Sequence, residues 1–122
     1  LWFPPHHNLP VDEKKIPTGK KSEGFAFAGF EPLEDIVLDN GYKLDAETKY
    51  STLKIKDPLK DITINIVMQN GYDYLQVYTP NHRNSISIEP QTCAANAFNN
   101  KMGLIELKQG EKRIFHFSIS LS

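Results

Sequence analysis

The chain of 122 residues contains one cysteine, Cys93. An internal disulfide is impossible, which excludes a stapled secreted mini-domain and fits a reducing compartment, so a cytoplasmic location is expected. Charge of either sign is not in excess: 14 Lys plus Arg against 15 Asp plus Glu leave a formal net charge of -1. That balance gives no electrostatic ground for nucleic acid or an anionic membrane as the main partner. No apolar run approaches the length of a bilayer-spanning helix. There is no internal repeat, no low-complexity segment and no convincing long amphipathic helix. Neither a Walker-type nor a dinucleotide-binding glycine pattern occurs. His6, His7, His82 and His116 form no metal-ligand spacing with one another or with Cys93, so no metal is expected. The start, Leu1-Trp2-Phe3-Pro4-Pro5, lacks Met and a charged n-region; it is not a signal peptide and reads as a longer protein entered partway.

What is present points to β-structure. Hydrophobic residues make up 39% and charged residues 24%, which fits a folded globular chain, and the length allows one domain. Asn40-Gly41 and Asn70-Gly71 are strong turn signals. Asp57-Pro58, Thr79-Pro80 and Glu89-Pro90 mark places where regular structure should end or bend. Between them, Asp61 to Met68 alternates with period two, Tyr74 to Thr79 is a short strand candidate, and Asn84 to Glu89 sets Ile86 and Ile88 against Ser85, Ser87 and Glu89. Arg113 to Leu121 sets Phe115, Phe117, Ile119 and Leu121 against Ile114, His116, Ser118 and Ser120. Asp45 to Tyr50 and Gln91 to Asn99 can each hold a turn or two of helix. The expectation is an all-β chain of roughly six to eight strands, a sandwich with one polar face toward solvent or ligand. Bare sheet edges would then need a partner.

Glu89 is placed at a strand end, on the face of Ser85 and Ser87, where a rigid strand meets an open loop; this suits a general base, although an exposed glutamate without a special role is the plainer reading of the pattern. Asp39 precedes Asn40-Gly41, where an aspartate ordinarily bonds its own backbone; the alternative is a carboxylate accepting a sugar hydroxyl. Gln76 lies mid-strand, and its amide can donate and accept at once, as a hydroxyl-rich ligand requires; a solvent-facing residue is the alternative. His6 and His7 fall in a Pro-flanked segment expected to be irregular, His82 in a hairpin loop, and His116 on a terminal strand. Cys93 reads as a small core residue. Lys14-Lys15 and Lys20-Lys21 read as a solvated basic loop.

Several short runs occur in an informative order. Leu9-Pro10-Val11-Asp12 precedes Ile16-Pro17-Thr18-Gly19, and Leu38-Asp39-Asn40-Gly41-Tyr42 follows. Then come Gln76-Val77-Tyr78-Thr79-Pro80, Ser87-Ile88-Glu89-Pro90-Gln91-Thr92-Cys93, Asn96-Ala97-Phe98-Asn99, Gly103-Leu104 and Gly110-Glu111. This set resembles the C-terminal part of the aldose 1-epimerase (galactose mutarotase-like) family, from about residue 9 to the end. The resemblance implies the C-terminal portion of a β-supersandwich, with residues 1–122 as a single partial domain. It implies an isomerase that interconverts the α and β anomers of a free aldose such as galactose or glucose, without metal or organic cofactor. Glu89 matches the family's general base, and Asp39 and Gln76 match its sugar-hydroxyl ligands.

The family's acid is a histidine, accompanied by a second histidine and an arginine in its N-terminal half. None of this chain's four histidines sits in a matching context. The acid is therefore expected from an N-terminal half of the same protein or from a companion chain. Two other readings stand beside this one. A non-catalytic carbohydrate-binding β-sandwich would share the fold. An enzyme for a phosphorylated hexose would need an arginine or lysine cluster at the cleft rim, with Arg83 as one contributor.

Overall fold

The computed structural model describes residues 1–24, 29–34, 36–45 and 49–122. Among the described residues there are eight strands: β1 (His6–Leu9), β2 (Ser22–Glu23), β3 (Asp39–Leu44), β4 (Tyr50–Asp57), β5 (Ile62–Gln69), β6 (Tyr74–Tyr78), β7 (Ser87–Gln91) and β8 (Phe117–Leu121). One short helix, α1 (Ala97–Asn100), follows β7. The strands form two antiparallel sheets, β2-β1-β3-β6-β7 and β4-β5-β8. The chain is thus all-β, in the two-sheet arrangement that period-two alternation requires.

Alternation decides which side chains meet between the sheets. Tyr42, Leu44, Leu75 and Val77 come from the five-stranded sheet, and Leu53, Ile66 and Met68 from the three-stranded one. All seven are buried, and Leu1, Phe3 and Leu38 complete the cluster. Ile86 and Ile88 pack against it, as their spacing predicts. The N-terminal segment ties the sheets together. Trp2 exchanges backbone hydrogen bonds with Lys54 of β4, at 2.8 and 3.0 Å, and the chain then turns at Pro4-Pro5 into β1 of the other sheet.

Four local expectations are corrected. Asn40-Gly41 is no turn: both residues lie inside β3, where Gly41 is paired with Leu9 of β1 and Gln76 of β6, and Asn40 with Val77 of β6. Glu89-Pro90 does not end a strand; β7 runs on to Gln91. Among the described residues β7 pairs with β6 alone, so Pro90 sits on a sheet edge, where its lack of an N–H is tolerated. His6 and His7 are in a strand and not in irregular chain. The C-terminal strand starts at Phe117, so His116 just precedes it. Asn70-Gly71 is the expected turn, with Tyr72 N–H donating to the Gln69 carbonyl at 3.2 Å and Gly71 at φ 109°. The helical turn expected after Gln91 is α1, whereas residues 46–48 of the first helix candidate lie outside the described residues.

His6 is buried, with its ring centroid 4.4 Å from that of Phe3 and 5.2 Å from that of Tyr42. Its Nδ1 lies 2.8 Å from the Pro4 carbonyl, to which the neutral ring donates. Burial holds its pKa below the ordinary 6.5. Above that value both folded and unfolded chains carry the neutral ring, and the associated stability is fully present. As pH falls through it, the unfolded chain takes up the proton first, so stability declines until the folded pKa is passed. Denaturant midpoints are expected to drop as pH falls through and below the ordinary histidine value of 6.5, and His6→Gln should flatten that drop. An equal slope in the variant would assign it to other groups.

Candidate active site

The face of the five-stranded sheet turned away from the core is polar. Strand register places its members. Gln76 is paired with Gly41 on one side and Glu89 on the other. Tyr78 is paired with Asp39 and Ser87. Residues two apart on a strand share a face, so Asp39, Gly41, Gln76, Tyr78, Ser87 and Glu89 all project on this side. The three residues singled out from the sequence are therefore brought together on three adjacent strands. Directly paired residues such as Gln76 and Glu89 stand with Cβ atoms about 5 Å apart. Glu89 is central in β7 rather than at its end. It is exposed, and the Ser87 hydroxyl donates to its Oε1 at 2.9 Å.

A pocket of about 50 Å³ opens on this face, lined by Asp39, Gly41, Gln76, Tyr74, Gln91 and Lys15 among others. Glu89 stands beside it, across from Gln76. Gly41 forms the floor. A Cβ there would lie 3.3 Å from Gln76 Oε1 and 3.7 Å from Leu9 Cδ1. The glycine answers to this tight approach of the Gln76 side chain and not to a turn. Gly41→Val should push the Gln76 amide aside and fill the floor. The expected result is at least a tenfold weaker sugar affinity in a titration, with an unfolding midpoint close to that of the parent because valine suits a strand. Unchanged affinity would place the ligand elsewhere.

Behind the pocket, Tyr74 is buried with Leu9 and Ala94, and burial pushes its phenol pKa upward, helped by the nearby Asp73 carboxylate. Lys43 Nζ lies 3.1 Å from Asp73 and 4.8 Å from the centre of the Tyr74 ring, which fixes the ring at the pocket wall. Gly103, at φ 75°, lets the following loop pass close: a Cβ there would be 2.5 Å from the Tyr74 ring. Cys93 is a half-buried free thiol in the same region.

Two residues differ from their sequence readings. Lys15 is not a purely solvated loop residue: its Nζ is 2.8 Å from Asp39 Oδ2. Only the tertiary pairing brings residues 24 positions apart together, so nothing in the local pattern marked it. Arg83 does not reach this face as a phosphate ligand. Its Nη2 donates to the carbonyls of Leu33, Glu34 and Ile36, at 3.4 Å for Glu34 and 2.9 Å for Ile36. The guanidinium is used to hold the backbone of Leu33, Glu34 and Ile36. Among the described residues no group of three His, Cys, Asp or Glu could hold a metal ion, and no helix is long and apolar enough to cross a membrane.

A family model described as aldose 1-epimerase matches residues 2–120 of the 122. The chain belongs to the aldose 1-epimerase family. No curated protein and no solved structure gives a match. The match covers nearly the whole chain, and within it Asp39, Gln76 and Glu89 share one polar sheet face.

Proposed function

We propose that this aldose 1-epimerase family chain supplies the base-bearing part of an enzyme that interconverts the α and β anomers of a free aldose such as galactose or glucose. The single observation that supports this reading is the common face of Asp39, Gln76 and Glu89. In the proposed reaction Glu89 takes the proton from the anomeric hydroxyl. The O–H electron pair forms the carbonyl while the bond from the anomeric carbon to the ring oxygen breaks. The ring oxygen keeps that pair and accepts a proton from an acid. Rotation about the adjacent carbon–carbon bond presents the other face of the carbonyl, and the reverse steps reclose the ring. Asp39 accepts from a sugar hydroxyl, and Gln76 both donates and accepts, since a buried hydroxyl left unpaired is costly. No metal or organic cofactor takes part.

The acid belongs, in this reading, to a histidine of an N-terminal half or companion chain, so residues 1–122 act as part of a larger domain. The inner face of the three-stranded sheet supports a companion. Phe117, Ile119 and Leu121 are paired with Met68, Ile66 and Ile64 and so continue the face that lines the core. They are nevertheless 50%, 63% and 70% exposed. An uncovered apolar stripe of this kind marks an interaction surface. A cytoplasmic location is part of the proposal.

The experiment is polarimetric or NMR measurement of α- to β-galactose and α- to β-glucose equilibration by the intact protein with any companion half present. Acceleration over buffer is the expected result. Sugar binding without acceleration would instead make the protein a carbohydrate-binding sandwich.

A further inference from the structure

We infer that Lys15 is a substrate-binding residue that works with Asp39 to read two neighbouring hydroxyls of the sugar, an inference that rests on the aldose-binding reading above. Both residues line the pocket, and their charged atoms lie 2.8 Å apart at its mouth. The ion pair by itself contributes little, because the side chains are 68% and 45% exposed and water screens them. Its chemistry is more useful than its stability. A carboxylate is only an acceptor and an ammonium only a donor. Each sugar hydroxyl is both. Asp39, whose Oδ2 is taken by Lys15, has a second carboxylate oxygen that can accept from one hydroxyl while a remaining Lys15 N–H donates to the oxygen of the next. Adjacent ring hydroxyls and an adjacent donor–acceptor pair thus match in kind and order.

The loop carrying Lys15 is held for this placement. Asp12 Oδ1 accepts from the Lys14 and Ile16 N–H groups at 2.8 and 3.0 Å, and Lys15 N–H donates to the Asp12 carbonyl at 3.0 Å. Lys15 itself sits at φ 62°, in the left-handed region. Thr18 closes the loop's base by donating both its N–H and its hydroxyl to the Pro10 carbonyl, at 2.9 and 3.1 Å. Neutral sugars are the ligands that suit the site, since the Asp39 and Glu89 carboxylates on this face are balanced by the Lys15 and Lys43 ammonium groups.

The test compares the intact parent protein, with any companion half present, with its Lys15→Met and Lys15→Arg variants, using galactose, glucose and their singly deoxygenated derivatives. Lys15→Met should raise KM roughly tenfold with kcat nearly unchanged, and Lys15→Arg should recover part of the loss. One deoxy sugar that binds the parent poorly should bind Lys15→Met no worse than its fully hydroxylated counterpart does. An unchanged or lowered KM in Lys15→Met, or equal discrimination among the deoxy sugars by parent and variant, overturns the inference while leaving the enzyme reading intact. Failure of the parent protein to bind or turn over any aldose overturns both.

Discussion

Glu89→Gln is expected to lower the rate of anomer equilibration by about 10²–10⁴-fold, with the unfolding midpoint unchanged. Glutamine keeps the size and shape of glutamate but cannot take the anomeric proton. The Ser87 hydroxyl, which donates to Glu89 Oε1 at 2.9 Å, can donate equally to a glutamine carbonyl oxygen, so orientation should survive. The side chain is exposed, so folding does not depend on its charge. Polarimetry at saturating galactose, together with a thermal melt, reads both effects. A large loss in kcat with little change in KM marks an interaction made in the transition state. A rate within a fewfold of the parent would remove Glu89 from the chemistry.

The second large effect lies in the core. Leu75→Ala should destabilise the fold by about 2–5 kcal/mol, measured by denaturant unfolding. Leu75 is fully buried, and its backbone is paired with Tyr42 on one side and Pro90 on the other. Removing its side chain leaves a cavity between the sheets and takes away contacts of Tyr42 and Val77 in the same cluster. Gln76 is the next residue, on the opposite face. The cavity is therefore expected to loosen the strand that carries Gln76 and to raise KM as well. A loss below about 1 kcal/mol would show that Leu75 is not packed between the sheets as described.

Much of the fold was legible from local pattern. The alternation from Asp61 to Met68 corresponds to β5, because period two puts an apolar row on a buried face, and the short strand candidate from Tyr74 to Thr79 corresponds to β6. Asn70-Gly71 was readable as a turn for the same local reason. Asn40-Gly41 was not, although the dipeptide is identical. Its conformation is set by strands on both sides, and its glycine answers to the Gln76 side chain 35 residues away in sequence. Pro90 misled in the same way: a proline breaks a central strand but not an edge, and edge position is a property of the sheet.

The candidate site divides along the same line. Residue chemistry and ordered motifs sufficed to single out Glu89, Asp39 and Gln76, and the spacing within β7 sufficed to put Ser87 on the Glu89 face. That the three stand on adjacent strands, with Gly41 as a floor and Lys15 over Asp39, was decided by the β3-β6-β7 pairing and the 11–17 loop. The physical reason is range. Period, turn chemistry and side-chain type act over a few residues and are written in the sequence directly. Strand order, register and an ion pair spanning 24 residues depend on which distant segments bury their apolar faces together, and only the folded chain settles that.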